Sequence, residues 1–176
     1  MQKLKGKLKL KKKHVFHIFL ILLILWMTLI FSFSAQTSDK SSNLSGEVGR
    51  RVASIFVPEF QTWEDERQEQ FVEEIDFFIR KAAHFMEYMV LGMLWILCLQ
   101  SNPKGRFEMT HNMWISMIGS TCFAMSDEFH QLFVDGRAGR WMDVGIDTAG
   151  AIVGVCLVGI GIKLLQKTLI FTKKSS

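Results

Sequence analysis

The sequence predicts an all-α membrane protein, a bundle of four transmembrane helices with an outer amphipathic segment between the first two. Three observations lead to this fold class. Hydrophobic residues make up 49% of the 176 positions, and the chain has 15 Phe and 10 Met but only 2 Pro. This composition suits a helical membrane protein better than a soluble α/β domain. In addition, four long apolar stretches alternate with polar segments, and the charges are distributed unevenly.

The uneven charge distribution indicates how the chain is oriented. Seven lysines fall within the first thirteen residues, whereas residues 34–81 hold ten acidic and six basic residues. Basic segments next to an apolar stretch stay on the cytosolic side of a membrane. Because an apolar stretch follows the basic arm (residues 1–14) directly, we interpret the arm as a topology signal. We therefore expect no nucleic-acid partner.

The first predicted span covers about residues 15–33, which are almost all apolar. A cleaved signal peptide is the rival interpretation, since a basic arm precedes the stretch. However, the stretch is longer than the apolar core of about 7–15 residues that is usual in a signal peptide. Phe33 would also stand third before a cut after Ala35, where such sites carry a small residue. The prediction is therefore a retained anchor.

Three further spans are predicted at about residues 78–99, 113–133 and 144–165. A helix needs roughly 20 residues to cross the hydrocarbon core. Only fourteen residues separate His111 from Ser126, which is about 21 Å of helix at roughly 1.5 Å per residue. The third span must therefore include residues 126–133. The apolar stretch 148–162 is also too short on its own, so the fourth span must begin near Asp147. Ionisable side chains are consequently expected at membrane depth.

Four spans bring both ends of the membrane domain, residues 15–165, back to the same side. The basic arm, Lys104 and Arg106 in a short loop, and the basic tail at 166–176 predict that this side is the cytosol. Both termini are then cytosolic and the protein is a multi-pass protein of the cell membrane.

Residues 34–77 are then extracytoplasmic. Within this region the Ser-rich stretch 38–46 is expected to be a loop. Residues 48–60 and 64–79 look amphipathic and are expected to lie on the outer membrane surface.

Polar and ionisable residues from three spans are expected to meet in the outer leaflet. They are Arg80, Lys81, His84, Glu87 and Tyr88 at the start of the second span, Asp127, Glu128 and Gln131 at the end of the third, Arg137 in the following turn, and Asp143 and Asp147 at the start of the fourth. Ionisable residues inside a membrane usually face the bundle interior, where function is the default interpretation. The alternative is scaffolding, in which Arg80 or Arg137 pairs with Asp127, Glu128 or Asp143.

Three motifs resemble the VanZ-like family of small bacterial membrane proteins. They are RKAAHFMEYMVLG at 80–92, SDEFHQLFVDGR at 126–137 and DVGIDTAGAIVG at 143–154, together with a Ser-x-Gln at 34–36 that precedes spaced serines. The resemblance covers about residues 15–160, whereas His130 and Arg140 lie outside the family pattern. It implies that the first span is retained. It also implies an association with resistance to glycopeptide antibiotics such as teicoplanin, but no chemical mechanism.

A ligand site is the favoured function. The expected ligand-binding residues are Arg80, Lys81, Tyr88, Gln131, Arg137, Asp143 and Asp147. Because the arginine guanidinium can bond phosphate through two N–H groups, we expect a membrane lipid or a lipid-linked cell-wall precursor as partner. A lipoglycopeptide is a further candidate.

Two alternatives remain open. The first is an enzyme that acts on a lipid-linked group, with His84, Glu87, Asp127 and Glu128 as acid and base. The second is a protein that docks an envelope partner through residues 34–79. Neither an HExxH nor a CxxC spacing occurs, so we expect no metal and no cofactor.

Overall fold

The computed structural model describes residues 2–105 and 107–174, and these residues form helices without any strand. The elements are α1 (Gln2–Ser34), α2 (Ser38–Phe56), a short 3-10 helix (Phe60–Thr62), α3 (Asp65–Ser101), α4 (Met109–Gln131) and α5 (Trp141–Lys174). Arg106, one of the basic residues of the predicted cytosolic loop, lies outside the described residues. The part of the chain that the structure describes is therefore all-α, as predicted.

Three helices of the described chain are long and apolar enough to cross a membrane: Lys12–Ser34, Asp65–Ser101 and Trp141–Leu165. They correspond to the first, second and fourth predicted spans. Helix α4 has 23 residues but is not among them. Its buried face carries polar side chains, among them Asn112, Ser116 and Ser120, which lower its apolar character. The four-span bundle is thus not confirmed, and passage of α4 through the membrane stays a prediction.

Two predictions about the segment 38–79 are wrong. The stretch 38–46 is not a loop but the first half of α2. There the Ser45 hydroxyl contacts the carbonyl oxygen of Ser41, one turn earlier, and also the Asp76 carboxylate. The amphipathic segment 64–79 is likewise continuous with the second span in the 37 residues of α3. A helix of that length spans about 55 Å at roughly 1.5 Å per residue, so it extends well past a hydrocarbon core of about 30 Å.

Helix α3 is the central element, because α1, α2, α4 and α5 all contact it. Its core contacts include Tyr88 and Leu91, which pack with Leu23 and Ile30 of α1. Trp26 Nε1 also donates a hydrogen bond to the Glu87 carbonyl oxygen at 2.9 Å. These contacts hold α1 beside the part of α3 that carries the ionisable residues.

Helices α3 and α5 pack closely through glycine. An ideal Cβ atom would lie 2.2 Å from the Phe85 carbonyl oxygen at Gly150, and 2.0 Å from the Met89 carbonyl oxygen at Gly154. A side chain at either position would therefore push the two backbones apart. The two glycines are four residues apart and form a small-xxx-small surface, which lets two helix backbones approach closely.

Candidate functional site: an apolar and a basic cavity

A cavity of about 380 Å³ lies between α1, α2 and α3, and we call it the apolar cavity. Its apolar lining consists of Ile30, Phe33, Leu44, Val48, Val52, Ile79, Ala82, Ala83 and Met86. The exposed side chains of Leu44 and Met86 are part of this lining, so the cavity opens at the surface of the bundle. Its polar lining consists of Ser34, Gln36, Ser41, Ser45, Arg80, His84, Glu87, Asp127 and Arg137.

A second cavity of about 140 Å³ lies between α3 and the turn that joins α4 to α5, and we call it the basic cavity. Its charged lining consists of Arg80, Lys81, Arg137 and Arg140, with Asp143 as the carboxylate and His84 beside them. Arg80, His84 and Arg137 line both cavities. The two cavities therefore adjoin, and these three side chains form their boundary.

The basic side chains are held by different partners. Arg80 forms an ion pair with Asp76 at 2.8 Å, and Lys81 forms one with Asp143. Arg137 instead donates to backbone carbonyl oxygens, from Nε to Gln36 at 3.1 Å and from a terminal nitrogen to Phe33 at 3.4 Å. Burial, together with the neighbouring Arg80, lowers the pKa of the Arg137 guanidinium from its usual value. An anion beside Arg137 would therefore be stabilised.

Neither Arg80 nor Arg137 forms the predicted ion pair with Asp127, Glu128 or Asp143. Glu128 accepts hydrogen bonds from the Gln131 amide at 3.1 Å and from the Arg140 backbone N–H at 2.9 Å. Arg80 has its partner one turn earlier in its own helix. The scaffolding role thus falls to Lys81 and Asp143, which join α3 to α5.

The Asp127 carboxyl group is buried at the wall of the apolar cavity. Its side chain lines the apolar cavity and is 1% exposed. Among the described residues, neither of its oxygens makes a hydrogen bond of ordinary geometry, although Ser34 and Gln131 are near enough to interact. Buried polar groups without a partner are rare in folded proteins. Asp127 is therefore available to a ligand.

His84 and Asp147 connect α3 to α5. His84 Nδ1 lies 3.5 Å from Asp147 Oδ1, and the Asp147 side chain is fully buried. Glu87 lies one turn along α3 from His84 and lines the apolar cavity. Within the described chain, no group of three His, Cys, Asp or Glu side chains is arranged to hold a metal ion.

The structure does not bring every predicted site residue to a cavity wall. Tyr88 is fully buried in the core, with its ring centroid 6.2 Å from that of Phe123, and lines neither cavity. Asp147 and Glu128 also lie behind the cavity walls, where they contact His84 and Arg140. The other eight predicted residues line one or both cavities: Arg80, Lys81, His84, Glu87, Asp127, Gln131, Arg137 and Asp143.

Helix α2 supplies a wall that the sequence prediction did not include. Leu44 and Val48 of α2 line the apolar cavity, and Ser42 accepts a hydrogen bond from Arg80 at 3.3 Å. The signal was present, because Ser42 and Ser45 are three residues apart and share a helical face. The predicted site lacks this helical face because the sequence predicts a loop at residues 38–46.

A backbone hydrogen bond joins the turn after α4 to the start of α2. The Ser38 backbone N–H donates to the Asp135 carbonyl oxygen at 3.3 Å. Gly136 follows with a φ of 72°, a conformation that favours glycine. A Cβ atom there would lie 3.0 Å from the Ser38 Cβ atom. The turn that carries Arg137 is thereby positioned over the cavities.

The fold and the site define a helical membrane protein with a polar site built between its packed helices. A sequence model of the family described as VanZ/LLP1 matches residues 19–162. The match covers most of the chain, and the chain belongs to the VanZ-like family. Comparisons with curated proteins and with solved structures returned no match.

Proposed function

We propose that this site binds a membrane lipid or a lipid-linked envelope molecule. The hydrocarbon chain occupies the apolar cavity, and the phosphate-bearing headgroup occupies the basic cavity. The supporting observation is that two cavities of opposite character adjoin and share Arg80, His84 and Arg137. An amphiphile with a phosphate near its chain satisfies both cavities at once.

Headgroup contacts supply the selectivity of this site. The apolar cavity has the size of typical small-molecule sites, roughly 300–1,000 Å³. A lipid chain that enters it exchanges one hydrocarbon environment for another, so the hydrophobic effect contributes little to affinity. The guanidinium groups of Arg80 and Arg137 can each bond a phosphate through two N–H groups. Anionic lipids should therefore bind more tightly than neutral ones.

We place this site in the outer leaflet, with four spans and both termini in the cytosol. The lysines of the amino-terminal arm support this orientation. The association with glycopeptide resistance that the family resemblance implies fits the same site. A lipoglycopeptide is also an amphiphile and would compete for the apolar cavity.

The test is lipid binding by an Arg80→Gln variant. Purified protein in detergent is titrated with phosphatidylglycerol, and the bound fraction is measured by native mass spectrometry. A hydrogen bond to a charged group contributes about 1.5–3 kcal/mol, so we expect Kd to rise roughly ten- to a hundredfold. Neutral diacylglycerol should bind the parent protein and the variant equally.

Arg50→Gln is the matched control. Arg50 also forms an ion pair, with Glu69 at 3.1 Å, but it is exposed and lines neither cavity. Since exposed ion pairs contribute only about 0–1 kcal/mol, this variant should bind like the parent. Parent affinity in Arg80→Gln, or an equal loss in both variants, would contradict the proposed site.

A further inference from the structure

His84 lies at the boundary between the apolar and the basic cavity. Its Nδ1 atom is 3.5 Å from Asp147 Oδ1, longer than an ordinary hydrogen bond. Catalytic hydrogen bonds often shorten only when substrate binds. A carboxylate facing Nδ1 favours the tautomer in which Nε2 can accept a proton. His84 is therefore oriented as a general base, with Asp147 as its positioning residue.

The charges on the two sides of His84 determine which part of a lipid meets it. Lys81, Arg140 and the carboxylate of Asp143 line only the basic cavity, whereas Glu87 and Asp127 line only the apolar cavity. A phosphate is attracted to the cations of the basic cavity, whereas the two carboxyl groups offer it no cationic partner, so the phosphate is held in the basic cavity. With the phosphate held on the basic side, the uncharged carboxylic ester of a glycerophospholipid is the group that reaches His84.

Asp127 provides a place for the second reactant, water. Its carboxyl group is almost fully buried, faces the apolar cavity and lacks an ordinary hydrogen bond among the described residues. A water molecule that donates to this carboxylate gains a partner and satisfies the buried group. Such a water would lie in the same cavity as His84, where its proton can be removed.

Resting on the lipid binding proposed above, we propose that the protein hydrolyses a carboxylic ester of the bound phospholipid. His84 Nε2 takes a proton from water as the water oxygen bonds to the ester carbonyl carbon. Arg80 or Arg137 stabilises the negative charge that develops on the carbonyl oxygen. The bond from that carbon to the glycerol oxygen then breaks, and the glycerol oxygen takes the proton from His84. One water is consumed, and one fatty acid and one lysophospholipid are formed.

The test uses the full chain in vesicles of phosphatidylglycerol suspended in water enriched in oxygen-18. We expect mass spectrometry to detect lysophosphatidylglycerol and fatty acid in equal amounts, with one heavy oxygen in the carboxyl group. His84→Asn keeps a polar side chain but cannot serve as the base, so kcat should fall by about 10²–10⁴-fold. The Kd for phosphatidylglycerol should stay close to that of the parent.

Two further variants separate catalysis from structure. His130→Asn is the matched control, because His130 packs against Phe31 with ring centroids 4.2 Å apart and lines neither cavity. It should retain parent activity. Asp147→Asn should lower kcat more than it changes KM, and Asp147→Glu should restore part of kcat.

Three outcomes would overturn the hydrolase. They are binding of phosphatidylglycerol without ester cleavage, release of a phosphate-bearing headgroup in place of fatty acid, and parent activity in His84→Asn. Each leaves the lipid site intact. Absence of both binding and cleavage would overturn the proposed function as well.

Discussion

Lys81 and Asp143 form the ion pair that joins α3 to α5 beside the basic cavity. Their side chains are only 17% and 10% exposed. When one partner of a buried pair is removed, the other is left as an uncompensated charge. Removal of one partner should therefore destabilise the fold more than the intact pair stabilises it.

Lys81→Met should lower the free energy of unfolding, by up to about 3–5 kcal/mol if the site stays closed to water. The measurement is the melting temperature of purified protein in detergent. Exchange of the two charges, Lys81→Asp with Asp143→Lys, should recover part of the loss. Lys104→Met is the control, since Lys104 is exposed on the loop after α3. Unchanged melting in Lys81→Met would show that this pair is solvated.

The sequence was sufficient to predict eight residues that line the cavities, but neither the wall supplied by α2 nor the ion pairs. The sequence leaves Asp127, Glu128 and Asp143 as possible partners of Arg80 or Arg137, whereas Arg80 pairs with Asp76 in the structure. That spacing of four residues is visible in the sequence, but Asp76 had been assigned to a separate surface segment. Which side chains form ion pairs between two helices depends on how each helix is rotated about its axis and how deep it lies in the membrane. The hydropathy of the sequence determines neither.

At the scale of elements, the close contact between α3 and α5 depends on Gly150 and Gly154, which have no side chain to hold the two backbones apart. Gly154→Ala should be destabilising, because its Cβ atom would meet a backbone oxygen that cannot move independently. Overpacking of this kind costs about 1–3 kcal/mol, and sometimes more. Thermal melting in detergent measures the effect.

Gly145→Ala is the control on the same helix. A Cβ atom there meets nothing within 4 Å. Replacing glycine by alanine within a helix typically stabilises by roughly 0.5–1 kcal/mol, so its melting temperature should stay level or rise. Equal losses in Gly145→Ala and Gly154→Ala would contradict the packing described for α3 and α5.

The sequence predicts the presence of the long helices better than it predicts where they begin and end. Long apolar stretches indicated α1, α3 and α5 correctly, because roughly 20 apolar residues have few other stable arrangements in a membrane. The serines of α2 suggested a loop, yet helix packing against α3 overrides that weak local preference. Gly49, whose Cβ position is 3.3 Å from Val72, marks this packing surface.

At the scale of the whole molecule, the orientation in the membrane is open to direct measurement. In a background without the three native cysteines, Asn43→Cys should react with a membrane-impermeant thiol reagent on intact cells. Lys104→Cys should react only after the cells are permeabilised. Both positions are exposed in the structure, so access reflects the side of the membrane. Labelling of position 104 on intact cells would contradict the topology and the outer-leaflet site.

The attachment of Arg137 to the end of α1 also has a consequence for the order of events during synthesis. Its bond to Gln36 joins positions 101 residues apart. The ribosome completes α1 and α2 long before it reaches Arg137, so the nascent chain first has an open groove along α3. The basic cavity, and the part of the apolar cavity wall that Arg137 supplies, are complete only when the turn after α4 has been made. A chain interrupted earlier would hold no finished site.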